Sequence, residues 1–568
     1  MKDFFYKINC IFSKKEKTQL LSYLVLSLFT PVIEAVGVGS IAALIMLFFD
    51  KLSNEKNIFF EKIGLDFEGV WFLNSINNIL FIIILIFIFR GTYLFFFHYY
   101  ETKLRNFLVA EKSKFIFKKF MNFTYLEMKN SSKSEVFNST VLEAARVIDY
   151  IFGIITITRE IVLIFFLFLS LFLLHPFYTI ILSSFLLVFS LIFLFFYNKK
   201  LYTVGEELIN IQRELLNLVN ESVSSFKIIS LLNKKNFFAN NFYSKTDIRK
   251  KNLFYQQFIK KLPKIVFETL IIILISSIIL FFYSDDSLTE TLSFLAILGL
   301  ISSRILPSFT TLNVLYSTIK FNQASLNNYY KKFFNNEINL DEHYKKNKLE
   351  INESIESINI KNLKFSYSKI KLFDPINIDI NKNNIFGIFG RSGSGKSTLI
   401  DIISGLIKPD EGEILYNNKK KIDENLLGWQ SILGYVSQDP LLLNDTIKNN
   451  ICLGVEETKI DKSKLEYIIN LVGIKKFYEE YTNQIDNKIG EGGSKISGGQ
   501  KQRISIARTL YFNPKIIIFD EATSSLDRES EQKLLNLIVK LKKQHIIILI
   551  SHNESIKDIC DNHINLNN

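Results

Sequence analysis

Cysteine is nearly absent: Cys10, Cys452 and Cys560 are the only three in 568 residues. They stand far apart, with no C-x-x-C pair and no histidine cluster beside them. That excludes a zinc site and a disulfide scaffold, and the three read as reduced cytosolic thiols. Acidic residues are the scarcer charge, 56 against 68 Lys and Arg, which leaves a net charge of +12. Such a surplus can mean nucleic acid, but here the basic residues gather in the loops between apolar runs, where a membrane protein keeps its cytoplasmic charge. No nucleic-acid partner is expected. Only a short segment precedes the first apolar run, and Cys10 has no histidine partner in it, so a fused processing protease is not expected either.

What the chain has in abundance is apolar length, with 48% hydrophobic residues and 54 Phe. Runs near 20–49, 79–100, 151–174, 177–197, 265–283 and 292–316 each approach or exceed the ~20 residues that a bilayer requires. They predict six crossings. The first is longer than a signal-peptide core and reads as a retained span. Pro176 falls in a tight turn between the third and fourth. Lys103, Arg105, Lys112, Lys119 and Arg146 place the loop after the second span in the cytoplasm, as the basic residues from Lys199 to Lys264 do for the loop after the fourth. Both chain ends then lie on the same side. Apolar residues at helical spacing in 203–218 predict that these inner loops extend the spans as helices. In the first outer loop Phe59, Phe60 and Ile63 predict a short helix, lying at the membrane interface or capping the bundle.

Residues 331–350 read as a solvated linker, and beyond them short apolar strands alternate with helices. The expected organisation is an all-α membrane domain of six helices over 1–330, the linker, and an α/β domain over 351–568. The chemistry is stated most openly in GRSGSGKST, residues Gly390, Arg391, Ser392, Gly393, Ser394, Gly395, Lys396, Ser397 and Thr398. It follows the apolar run 385–389 and opens a helix-like stretch, the strand–loop–helix setting of a P-loop. Glycine lets the backbone N–H groups wrap a phosphate chain, Lys396 reaches the outer phosphates, and the Ser397 hydroxyl suits Mg²⁺. A second β-rich run, 516–519, ends in Asp520 and Glu521. An aspartate there suits Mg²⁺, held directly or through water, and the glutamate after it suits polarisation of an attacking water. ATP and Mg²⁺ are thus the expected cofactors of a P-loop ATPase.

Residues 496–500, ISGGQ, run into KQRISIARTL and resemble the signature motif of ATP-binding cassette (ABC) proteins, with Ile496 where Leu is usual. The resemblance extends over the domain, and it implies several roles. Tyr367 would stack on adenine, Gln438 in VSQD would be the Q-loop glutamine at the metal, SSLD at 524–527 would be the D-loop, and His552 would be the switch histidine near the γ-phosphate. KIGEGG at 488–493 resembles the exporter-type X-loop that meets the inner loops. Asn553 stands where many relatives have Arg. In the family Ser497, Gly498, Gly499 and Gln500 complete the ATP site of a second copy, and no use for them within their own chain is evident. A half-transporter acting as a dimer is therefore implied, a homodimer favoured over a heterodimer because every motif is intact, with catalytic residues Glu521, His552 and Gln438. ATP would close the two nucleotide domains and hydrolysis would reopen them.

For substrate the sequence offers Arg90, Arg159 and Arg304 within or beside apolar spans, together with Glu34, Glu160 and Glu268. Charges in a bilayer mark a function or a pair. One reading pairs them between helices. The other makes a basic cavity for an anionic headgroup, since guanidinium suits bidentate phosphate contact. Arg304 with Pro307, the outer-loop helix and the texture of 123–139 resemble bacterial lipid-linked oligosaccharide flippases. The resemblance implies an ATP-driven exporter or flippase of a lipid-linked or amphipathic substrate, in the bacterial inner membrane with its ATPase domain in the cytoplasm. A peptide, drug or other-lipid exporter, or an ATP-regulated membrane protein that transports nothing, remains open.

Overall fold

The computed structural model describes residues 2–53, 76–174, 176–282, 288–334, 350–367, 370–373, 375–483, 487–523 and 526–566. The chain divides into two compact units: Met1–Phe123 with Lys129–Leu340, and Thr124–Met128 with Asp341–Asn568.

Among the described residues six long helices build the first unit: α1 (Lys14–Ser53), α2 (Ile76–Met121), α3 (Ala144–Leu174), α4 (Pro176–Ser224), α5 (Lys235–Phe282) and α6 (Leu288–Phe333). Each carries one of the six apolar runs. Pro176 occupies the first position of α4, where its missing N–H costs no helical bond. At 49 residues α4 is ~70 Å long, more than twice the ~30 Å of a bilayer core, so the apolar run and the following 203–218 form one continuous rod. Pro31 in α1 and Pro307 in α6 lie inside helices that continue through them. Val38 and Ala42 of α1, Leu167 and Leu171 of α3, Phe267 of α5 and Ile305 and Phe309 of α6 close a shared core. Among the described residues, Lys14–Ala42, Asn77–Met121 and Lys133–Phe172 are long and apolar enough to cross a membrane. The expected outer-loop helix at 57–65 lies outside the described residues.

Two features depart from the sequence reading. Lys112 and Lys119, expected as basic residues of a cytoplasmic inner loop, are buried. Lys112 Nζ meets Glu16 Oε2 at 2.7 Å and also donates to the Ile11 carbonyl, while Lys119 donates to the carbonyl of Phe333. The expected linker also starts late, because α6 continues through Phe333, whose ring is fully buried against Tyr329 and Phe120.

Among its described residues the second unit holds eight main strands: β1 (Ser357–Lys364), β2 (Ile376–Asn381), β3 (Ile385–Gly390), β4 (Glu411–Tyr416), β5 (Leu433–Val436), β6 (Ile516–Asp520), β7 (Ile546–Ser551) and β8 (Asn562–Leu566). An antiparallel sheet runs β2–β1–β4, and a parallel sheet runs β8–β3–β7–β6–β5. In the parallel sheet alternate residues serve opposite cores: Ile388, Ile518 and Ile548 point into one, Ile517, Phe519 and Leu549 into the other. Both faces are covered, as a parallel sheet requires, which is why these strands are continuously apolar. Leu126, from the short segment that belongs to this unit, packs against the first of the two cores.

Candidate functional site

The site follows from the sheet order. β3, β7 and β6 are adjacent and parallel, with Ser551 level with Phe389 and Ile550 level with Asp520. Their carboxyl ends therefore release the P-loop, His552 and Asp520–Glu521 at one edge, where open α/β sheets hold ligands. β5 lies next to β6 and leads into Gln438, an exposed loop residue.

The P-loop turns where glycine is required. Gly393 and Gly395 have φ of 86° and 92°, and Gly395 is the left-handed residue before α7 (Lys396–Ile403). A Cβ on Gly390 would stand 2.5 Å from the Leu566 carbonyl oxygen and 2.6 Å from Ser394 Oγ, so the strand-to-loop corner admits only glycine. Lys396 is buried, its ammonium donating to the carbonyls of Gly390 (2.8 Å) and Arg391 (3.0 Å). The loop thus curls around its own lysine. Ser394 Oγ is buried without a hydrogen-bond partner among the described residues, an orphan polar atom that suits a phosphate oxygen. Ser397 is exposed at the helix start, whereas the charge of Lys396 falls within reach of Asp520.

Asp520 accepts a hydrogen bond from Tyr435 at 2.7 Å. Burial raises its carboxyl above the ordinary aspartate range and the neighbouring Glu521 adds to this, while Tyr435 and Lys396 oppose. A carboxylate that is costly to ionise alone fits a divalent cation, as does the hydroxyl of Ser397, which follows Lys396 in the P-loop. Glu521 sits at φ 47°, strained for a residue with a side chain, and its N–H is held by the Ile550 carbonyl at 3.1 Å. Its Oε2 lies 3.5 Å from His552 Nδ1. Glu521, His552, Asn553 and Ser551 line a common cleft.

Ser497 caps α8 (Gly498–Tyr511). Its side chain accepts from the Gln500 N–H while Gln500 Oε1 accepts from the Ser497 N–H at 2.8 Å, a reciprocal capping box. This corrects the expectation that the motif serves nothing in its own chain: Ser497 and Gln500 start the helix. Gly498 is exposed and Gly499 half-buried, with room for a Cβ on Gly499. In the D-loop, 524–525 lie outside the described residues, and Asp527 caps α9 (Arg528–Leu541). Tyr367 lies on a two-residue strand, Ser366–Tyr367, and its side chain lies outside the described residues. Asn553 donates its N–H to Ser551 Oγ at 2.9 Å.

Sequence reasoning missed Tyr435 and Gln502. Tyr435 carries no motif, and only the β5–β6 pairing brings its hydroxyl to Asp520. Gln502, on α8, donates to the Ser437 carbonyl at 3.2 Å and so ties the signature helix to the loop that bears Gln438.

In the helical unit Arg159 and Arg304 line one cavity with Glu34, Glu160 and His98. Arg159 pairs with its neighbour Glu160 at 3.1 Å. Arg90 is not in that lining. It packs behind Gly37 with its Nε buried and without a hydrogen bond among the described residues. Glu268 faces Lys264 at 3.8 Å, not an arginine.

Residues 373–524 match the ABC transporter family model. A putative export ATP-binding/permease protein of Rickettsia typhi is 42% identical over 213 residues, 37% of this chain and 37% of that protein. The leukotoxin translocation ATP-binding protein of Mannheimia glucosida is 39% identical over 36% of this chain and 29% of its own length. An ATP-dependent lipid A-core flippase of Francisella tularensis is 37% identical over 36% and 34%. The match thus spans about a third of the length of these curated relatives. The fold likeness is wider: the structure of a bacterial Atm1-family ABC exporter with ATP bound aligns with a TM-score of 0.74, 17% identity, over 97% of this chain and 93% of that one. The similarity to the ABC transporter family thus covers residues 373–524, and over the rest of the chain the likeness is one of fold.

Proposed function

We propose that the chain is an ATP-driven exporter or flippase in a bacterial inner membrane, working as a homodimer and moving an amphipathic substrate outward. One observation carries the reading: Lys396, Asp520, Glu521 and His552 leave adjacent strand ends at a single edge, in a chain whose other unit is a bundle of long apolar helices. The P-loop N–H groups and Lys396 hold the triphosphate of ATP, and Arg391, Ser392, Ser394 and Thr398 complete the cradle. Ser397, Asp520 and Gln438 would hold Mg²⁺, which supplies charge neutralisation at the outer phosphates. Glu521 takes the proton of the attacking water, and His552, beside Glu521, orients that carboxylate and donates toward the γ-phosphate. Ser497, Gly498 and Gly499 present the start of α8, with its N–H groups and positive dipole end, to nucleotide on a second copy.

The flippase relative supports a lipid-type substrate, and a lipid-linked oligosaccharide falls in that range. The leukotoxin relative keeps the export reading broad. Glu521→Gln in the full-length protein should retain ATP binding while hydrolysis falls by about 10²-fold or more. Lys396→Ala should lose binding itself. Wild-type turnover in Glu521→Gln would remove this glutamate from the chemistry.

A further inference from the structure

The cavity of the helical unit has a charge pattern that a purely basic substrate site would not need. Thr30, Pro31 and Glu34 come from α1, His98 from α2, Arg159 and Glu160 from α3, and Arg304 with Pro307 from α6. Two of its charged groups satisfy each other, Arg159 and Glu160, with side chains only 16% and 10% exposed. His98 engages Glu101 through Nδ1 at 2.9 Å. Glu34 and Arg304 are different. Both line the cavity, and neither makes a hydrogen bond or ion pair with another described residue. A carboxylate and a guanidinium on one cavity wall, not joined to each other, are an open acceptor and an open donor set waiting for opposite charges.

An anion alone meets Arg304 but is repelled by Glu34. A cation alone meets Glu34 but is repelled by Arg304. Only a ligand carrying both charges satisfies the pair. We propose that this cavity receives a zwitterionic headgroup, its phosphate on Arg304 and its ammonium on Glu34. Arg90, behind the wall, attracts Glu34 and repels Arg304, so the wall keeps one surplus positive charge for the anionic partner. The inference rests on the exporter reading above and narrows its substrate to zwitterionic amphiphiles. It moves the preference away from anion-only lipids such as pyrophosphate-linked sugars.

The test uses the detergent-solubilised full-length protein and three single-chain probes. Lysophosphatidylethanolamine carries phosphate and ammonium, lysophosphatidylglycerol phosphate alone, and dodecylamine ammonium alone. Titration calorimetry should show the first binding about 10-fold or more tighter than the other two. Glu34→Gln should weaken the zwitterion about 10-fold and leave the phosphate-only lipid equal or tighter. Arg304→Gln should weaken both phosphate lipids and spare dodecylamine. Glu34→Asp should keep the wild-type order, which separates a charge contact from a folding defect. Equal binding of the two phosphate lipids to wild type, no binding of any probe, or an unchanged zwitterion affinity in folded Glu34→Gln would each overturn the proposal, the first pointing to an anion-only substrate. Basal hydrolysis and its loss in Glu521→Gln, measured on the same preparations, test the exporter reading separately.

Discussion

At the level of single residues the sheet edge that carries the P-loop, Asp520 and Glu521 is a set of costs that a bound nucleotide and metal would relieve. Asp520 is held above its ordinary ionisation range by burial and by Glu521, and the Tyr435 hydroxyl is one of the groups resisting that shift. Because the folded state raises this acid, the domain without metal loses stability as pH rises from the unfolded aspartate range through the folded one, and the loss then persists at neutral pH. A bound divalent cation favours the ionised form and offsets it. Two outcomes follow. The Mg²⁺ concentration giving half-maximal hydrolysis should climb as pH falls, beginning above the ordinary aspartate range near 4. Tyr435→Phe should deepen this, since a hydrogen bond to a charged group is worth about 1.5–3 kcal/mol. The half-saturating Mg²⁺ should then rise by roughly 10-fold at a fixed pH low enough to leave Asp520 largely protonated, with the rate at saturation near wild type. An unchanged Mg²⁺ curve would show that the Tyr435 contact does not bear on the metal.

Elements show how much of this was legible before folding. The parallel strands could be read from their continuous apolar runs, and the P-loop from its glycines, because both patterns are local. Lys112 could not. Its place in a basic stretch suggests solvent, and only the packing of α2 on α1 brings it to Glu16, 96 residues away in sequence. The same holds for Tyr435 and Gln502, whose partners lie on other elements. Buried pairs of this kind are expensive to break: Lys112→Ala should cost about 3–5 kcal/mol by leaving Glu16 without its counter-charge, whereas the apolar pair Lys112→Met with Glu16→Leu should recover most of it. Thermal unfolding of the three proteins decides, and a double variant as unstable as the single one would rule out the charge pair as the cause. The signature helix is a different case, because Ser497 serves its own chain as a cap. Ser497→Ala should cost about 1 kcal/mol of domain stability through the cap alone. A fall in hydrolysis well beyond that, absent in Ser497→Thr, would come from the hydroxyl's exposed side, and a fall no larger would leave Ser497 a cap only.

For the molecule as a whole, the open question is whether one chain holds a complete ATP site. Within the chain the P-loop and the signature end of α8 belong to the same unit, yet Ser497 and Gly498 are exposed, and no described residue donates to the P-loop from that helix. If the homodimer proposal holds, each site joins Lys396 of one copy to Gly499 of the other. Lys396→Ala and Gly499→Asp should then each abolish hydrolysis as pure homodimers. Gly499 has space for a Cβ, so the second variant should lose phosphate contact through added negative charge and not through misfolding. Co-expressed with different tags and purified through both, the mixed dimer concentrates both lesions in one site: the mutant P-loop faces the mutant signature, and the other site keeps an intact half from each chain. Hydrolysis should therefore return, to about half of wild type if the two sites work independently and to less if they alternate. Were each site contained within one chain, the mixed dimer would carry two damaged sites and stay as inactive as its parents.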